Sequence, residues 1–197
     1  FLVGVQKTQL HPRMTLRAGS DTTSVLDADN GLGTVAADKA MGGALARAEN
    51  HGSGFIAVQN SNHFGYAGYW ARKATEQGYI GICMSNGGGY VVPTFGIAPL
   101  FGTNPMSVAI PGGPGEQGFH LDMATSAVAA GKIATALREG REIPEGWTSS
   151  AHGPPRLNPF GNLSAGVAML PLGGEGDETG GHKGYGISLM VELFCSL

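Results

Sequence analysis

Cysteine is nearly missing: Cys83 and Cys195, each inside an apolar run, are the only two. That is too few for a disulfide framework, and a reducing compartment such as the cytoplasm is the expectation. Charge is sparse too. Only 14% of residues are charged, and 12 Lys and Arg against 15 Asp and Glu leave a formal net charge of -3, so no basic stripe invites nucleic acid or an anionic membrane. No apolar stretch approaches the roughly 20 residues that span a bilayer, and the first residues lack the basic and apolar blocks of a secretory signal. A soluble protein is expected.

Other chemistries lack their signatures. The six histidines, at 11, 51, 63, 120, 152 and 182, never pair at the spacing of a helical or strand ligand set, which argues against a metal enzyme. No Gly-x-Ser-x-Gly elbow is present to support a serine hydrolase.

What is abundant is glycine, 34 residues of 197, without a three-residue period or a long Ser/Gln tract. The glycines read as turns and close backbone approaches. A 42% hydrophobic content suffices for a sizeable core, and the length fits one unit. The chain begins at Phe1 and stops at Leu197 inside the apolar run 187–197 without a helix terminator, so it reads as a piece cut at both ends.

After an irregular opening through Arg17, the pattern predicts a strand at 24–27, a turn at 30–33, a helix over 34–50 closed by Gly52, and a strand at 55–58. A polar loop, 59–65, leads to a helix from Ala67 to about Gln77, then a strand at 79–84. Strands at 106–110 and 120–123 follow, then a helix capped by Ser126 and ending near Gly140. Residues 141–182, rich in proline and glycine, predict an extended surface connection, and a last helix starts at Lys183. Helices alternating with short apolar strands make the class α/β.

Gly31-Leu32-Gly33-Thr34-Val35-Ala36 has the spacing of a dinucleotide fingerprint, but its context is wrong. Asp27-Ala28-Asp29-Asn30 separates it from the strand, and the next strand ends in Gln59-Asn60 rather than an acid. A helix-capping turn is the better reading. His63 stands in a polar loop at a strand end, where α/β sheets place ligands, and its imidazole suits proton exchange near neutrality. The alternative is a cap for the helix at Ala67. Asp122 is an orienting carboxylate, a ribose contact, or simply a helix-start acid. Thr103-Asn104-Pro105 offers a hydroxyl and an amide in a fixed turn, which an ordinary turn would also show. Lys183, among glycines at a helix start, suits a phosphate or carboxylate, or is a solvated lysine.

Asn60-Ser61-Asn62-His63-Phe64-Gly65, Gly102-Thr103-Asn104-Pro105, Leu121-Asp122-Met123-Ala124-Thr125-Ser126, Ile143-Pro144-Glu145-Gly146-Trp147 and His182-Lys183-Gly184-Tyr185-Gly186 occur in one order. In that order and spacing they resemble the malate/L-lactate dehydrogenase family of non-Rossmann type, which includes ureidoglycolate and sulfolactate dehydrogenases and cyclic imine reductases. The resemblance implies an α/β, non-Rossmann mixed sheet with helices packed on it, like L-sulfolactate dehydrogenase. It also implies a homodimer that uses NAD or NADP to interconvert small 2-hydroxy and 2-oxo acids such as malate or lactate.

The same resemblance gives His63 the acid/base role and Asp122 a catalytic or orienting one. It places the cofactor at Gly87, Asp122, Met123, Ala124 and Lys183, and the substrate near Thr103 and Asn104. At Gly87 relatives often carry a side-chain hydroxyl, so here only backbone serves. An N-terminal Ser-His-Gly and arginine of the family, and its C-terminal part, have no counterpart in these residues. The proton donor is therefore either His63 or that N-terminal histidine. A cyclic imino acid reductase and a non-catalytic nucleotide-binding fragment are the alternatives.

Overall fold

Thr23-Ser-Val-Leu-Asp27 alternates buried and less buried residues, as a strand with one covered face must. It forms β2 (Thr23–Asp27), the middle of a sheet ordered β1-β2-β3 with β1 (Thr15–Ala18) and β3 (Phe55–Gln59) in a computed structural model. β1 runs antiparallel to β2, and β3 runs parallel to it. The sheet is therefore mixed, and the parallel step is made by helix α1 (Gly33–His51). The described residues are 8–149 and 167–196. Their contacts divide the chain into two compact units, Phe1–Cys83 with Ser107–Leu121 and Met84–Met106 with Asp122–Leu197.

In the first unit Ala36 and Ala40 of α1 bury against Leu26 and Ala28, with Met14 and Ile56 alongside. The small side chains let backbones approach closely: a Cβ on Gly54 would lie 2.0 Å from the Ala44 carbonyl oxygen. Gly52 ends α1 in the left-handed region at φ 82° and donates to the Ala48 carbonyl, as its C-cap role requires. Helix α2 (Ala67–Thr75) buries Ala67, Trp70, Ala71 and Ala74, one face at helical spacing. Lys73 of α2 pairs with Asp38 of α1. A second sheet has the order β4-β5-β6, formed by β4 (Gly81–Met84), β5 (Met106–Ile110) and β6 (Phe119–Met123).

The second unit carries α3 (Ala130–Arg138) and α4 (Gly181–Ser196). Its core joins Val91, Phe101, Val128, Ile133, Ala134, Val167 and Met169, with Trp147, Tyr185 and Leu189 packed against them. Isolated bridges stitch it together, Val91 pairing with both Phe101 and Met169, and Thr148 with Met169.

Three sequence expectations change. The opening stretch holds β1, whose described side chains include none that is buried, so an edge strand without an apolar face left no pattern to read. Ser126 does not cap α3. Its hydroxyl donates to the Val128 carbonyl, and α3 starts four residues later behind Ala129, with no side-chain cap. Part of the expected surface connection is interior instead, because Val167 to Leu170 are all buried. Residues 150–166 of that connection, His152 included, lie outside the described residues.

Candidate functional site

In the first unit, the loops leaving β2 and β3 are joined by hydrogen bonds. The Asn30 N–H donates to the Asn60 carbonyl at 2.7 Å and the Ala28 N–H to the Gln59 carbonyl at 3.0 Å. Asn60, at φ 51°, turns the chain after β3, and its amide donates to the Asp27 carboxylate at 3.1 and 3.2 Å. Asp27 also accepts from the Asp29 N–H and the Gln59 amide. The bonds from Asp29, Gln59 and Asn60, with the charge of Arg17, hold its carboxyl below the ordinary carboxylate range. Two residues beyond Asn60, the Asn62 amide donates to the Asn30 and Gly31 carbonyls at 2.9 Å each.

This frame carries His63. The ring is exposed, and its Nδ1 accepts the Gly65 N–H at 3.2 Å, a turn that Gly65 closes at φ 89°. A neutral imidazole accepting at Nδ1 carries its hydrogen on Nε2, the nitrogen for which no hydrogen bond occurs among the described residues. The helix-cap alternative is not what the structure shows: the N-cap of α2 is Tyr66 and no side chain caps it. Instead α2 supports the loop through Trp70, whose indole N–H donates to the Phe64 carbonyl at 2.9 Å.

Gly33 explains the false fingerprint. A Cβ there would stand 2.0 Å from the Asn62 carbonyl oxygen and 2.5 Å from that of His63. The glycine is required by the histidine loop rather than by a phosphate.

In the second unit, the other sequence-predicted positions gather around Thr125. Its N–H and hydroxyl both donate to the Thr103 carbonyl, at 2.9 and 3.2 Å, and the hydroxyl also reaches the Asn104 carbonyl. A Cβ on Gly102 would fall 2.7 Å from Gly87, so these two backbones touch. The Leu172 N–H donates to the Thr125 carbonyl, and a Cβ on Gly184 of α4 would lie 2.0 Å from the Leu172 carbonyl oxygen. Gly87, Thr103, Asn104 and the start of α4, which bears exposed Lys183, thus form one cluster. Asp122, with Met123 and Ala124, leads into it. The carboxylate of Asp122 is exposed and lies within β6, not at a helix start.

Asn104 is wholly buried, with its amide donated to the Ser188 carbonyl and to Glu192. Glu192, which the sequence reading did not single out, also accepts from Asn86 and Ser196. Burial raises its pKa, and the bonds from Asn86, Asn104 and Ser196 lower it by more. Its signal was available, since it is the one charge in the run Ile187 to Leu197, where an unpaired carboxylate would be costly. A hollow of about 340 Å³ beside α3, lined by Gly131, Lys132, Thr135, Arg141 and Trp147, contains none of the predicted positions. Among the described residues, no group of three or more His, Cys, Asp or Glu is arranged to hold a metal ion, and no helix is long and apolar enough to cross a membrane.

Residues 3–197 match the sequence pattern of the malate/L-lactate dehydrogenase family. A malate dehydrogenase of Pyrococcus abyssi is 45% identical over 190 residues, which is 95% of this chain and 51% of that protein. The crystal structure of malate dehydrogenase from Entamoeba histolytica superposes with a TM-score of 0.86 at 33% identity, covering 98% of this chain and 54% of that one. Sulfolactate dehydrogenase from Methanocaldococcus jannaschii superposes with a TM-score of 0.78 at 35% identity, covering 98% and 53%. The mixed α/β fold is therefore the one expected from the sequence. The chain spans about half the length of the curated relatives it matches.

Proposed function

Because the chain belongs to the malate/L-lactate dehydrogenase family, we propose that the protein moves a hydride between NAD or NADP and a small 2-hydroxy or 2-oxo acid, malate or lactate foremost. The observation that carries this reading is the exposed imidazole of His63 with one nitrogen already engaged by its own loop.

The residues of the second unit suit a nicotinamide nucleotide. The Gly102 and Gly87 backbones meet where a Cβ would intrude, and the exposed run Gly87 to Gly89 leaves peptide groups uncovered. Lys183, on the first turn of α4, adds a cation at the positive helix end, where phosphate oxygens are favoured. We assign the nucleotide to Gly87, Asp122, Met123, Ala124 and Lys183, and the substrate acid to the neighbourhood of Thr103, with Asn104 behind it. A nicotinamide nucleotide held by these residues would supply the hydride donor or acceptor.

The chain's own part is the proton. In reduction the carbonyl oxygen gains negative charge as hydride arrives, and His63 as the imidazolium supplies the proton from Nε2. In oxidation the alcohol proton goes to Nε2. Both directions pass through a ring that carries a hydrogen on Nδ1 and cannot accept the Gly65 N–H, so that bond is given up during proton transfer. Asp122 contributes a carboxylate for a ribose hydroxyl or for orienting a histidine. A cytoplasmic homodimer is the assembly we propose.

The test uses the full-length protein with NADH or NADPH and oxaloacetate, pyruvate or a cyclic imino acid, following loss of reduced-cofactor absorbance. Turnover of a 2-oxo acid with at least one cofactor is expected. Silence with every acid and both cofactors overturns the reading, preference for the imino acid replaces it with an imine reductase, and binding without turnover leaves a non-catalytic nucleotide-binding module.

A further inference from the structure

Glu192 is a half-buried carboxylate with three donors on it. Oε1 accepts the Asn86 amide at 2.9 Å and the Ser196 hydroxyl at 3.0 Å, while Oε2 accepts the Asn104 amide at 2.9 Å. Ser196 also takes a bond of 2.8 Å from Asn86. Asn86 directly precedes the Gly87 to Gly89 run, and Asn104 directly follows Thr103. One side chain on α4 therefore grips both turns proposed to hold cofactor and substrate.

The grip also decides which way Asn104 faces. Its Nδ2 lies between two acceptors, the Ser188 carbonyl at 3.0 Å and Glu192. Reversing the amide would set oxygen against oxygen on both sides, so the orientation is forced. Its Oδ1 consequently points elsewhere, buried and without a hydrogen-bond partner, and 2.8 Å from where a Gly102 Cβ would be. Asn104 holds φ 36°, a left-handed conformation that costs energy outside glycine. An unfavourable backbone angle and an unpaired buried oxygen persist only where surrounding bonds outweigh them, and the charge-assisted one among those bonds ends on Glu192.

We propose that Glu192 is a positioning residue, whose carboxylate sets the spacing of the Asn86–Gly87 and Thr103–Asn104 turns for nicotinamide nucleotide binding. This rests on the dehydrogenase reading above. A glutamine has the same shape but turns an amide NH₂ toward one of three donors, so at least one bond is lost. An alanine loses all three.

The experiment is direct binding of NADH and NADPH to the full-length protein, by nucleotide fluorescence well below the melting temperature, for wild type, Glu192→Gln and Asn86→Ala. Ile133→Val, a core change in the same unit, is the matched control for lost stability. Glu192→Gln should raise Kd by about tenfold, the scale of one charge-assisted hydrogen bond. Asn86→Ala should raise it by a smaller factor, the combined variant should fall short of the product of the two, and Ile133→Val should leave it unchanged. Wild-type affinity in Glu192→Gln, or an equal loss in Ile133→Val, overturns the proposal. Should Glu192→Gln not fold, unchanged binding by Asn86→Ala overturns it alone. Absence of nucleotide binding by the wild type defeats the dehydrogenase reading first, a result distinct from the others.

Discussion

Replacing Gly33 with alanine puts the closest contact of the histidine loop under test. The added Cβ would meet the Asn62 carbonyl oxygen at 2.0 Å and that of His63 at 2.5 Å, where even 3.0 Å is tight. Both obstacles are backbone, so α1 and the histidine loop must part by about 1 Å, since a packed interior leaves no slack to absorb the clash. Overpacking of this kind costs about 1–3 kcal/mol of stability, and a catalytic group displaced by about 1 Å loses about 100-fold in rate. Gly42→Ala, in the same helix with nothing within 4 Å of the new Cβ, is the control. It should gain up to about 1 kcal/mol from helix propensity and keep full activity. Urea denaturation and kcat for 2-oxo acid reduction, measured on both variants, check the pair. A Gly33→Ala protein with wild-type stability and turnover would refute the idea that α1 sets the place of the His63 loop.

Other outcomes follow from the same frame. Trp70→Phe removes the indole donor to the Phe64 carbonyl and should cost about 1–2 kcal/mol in chemical denaturation; an unchanged midpoint would show that the bond contributes nothing. Asp27 has a folded-state pKa below its unfolded value, so its stabilisation is present above the ordinary carboxylate range and is lost as pH falls through the folded value. The melting temperature of Asp27→Asn should therefore lie below wild type at neutral pH and converge with it in acid, and a gap independent of pH would contradict the assignment.

Much of this arrangement was legible in residue order. The apolar faces of α1 and α2, the Gly52 stop and the strand at Phe55 follow local rules, and the loop around His63 announced itself by polar residues after a strand. What stayed hidden depends on contacts between distant residues. Gly33 looks like part of a phosphate loop because spacing alone cannot show that Asn62 lies against it. Val167 to Leu170 sit in a Pro- and Gly-rich stretch, so composition pointed to the surface although the core of the second unit closes on them. Thr125 and Ser126 carry helix-start chemistry, but their hydroxyls serve the Thr103, Asn104 and Val128 carbonyls instead. Glu192 stands out as the one charge in an apolar run, but its donors Asn86 and Asn104 lie far away in residue order, and only the fold brings them to it.

The central claim is that His63 exchanges the substrate proton, and substitution of that one ring tests it most directly. His63→Ala in the full-length protein should lower kcat for 2-oxo acid reduction by about 100-fold or more while leaving the Kd for reduced nicotinamide nucleotide unchanged. Turnover equal to wild type would contradict the account.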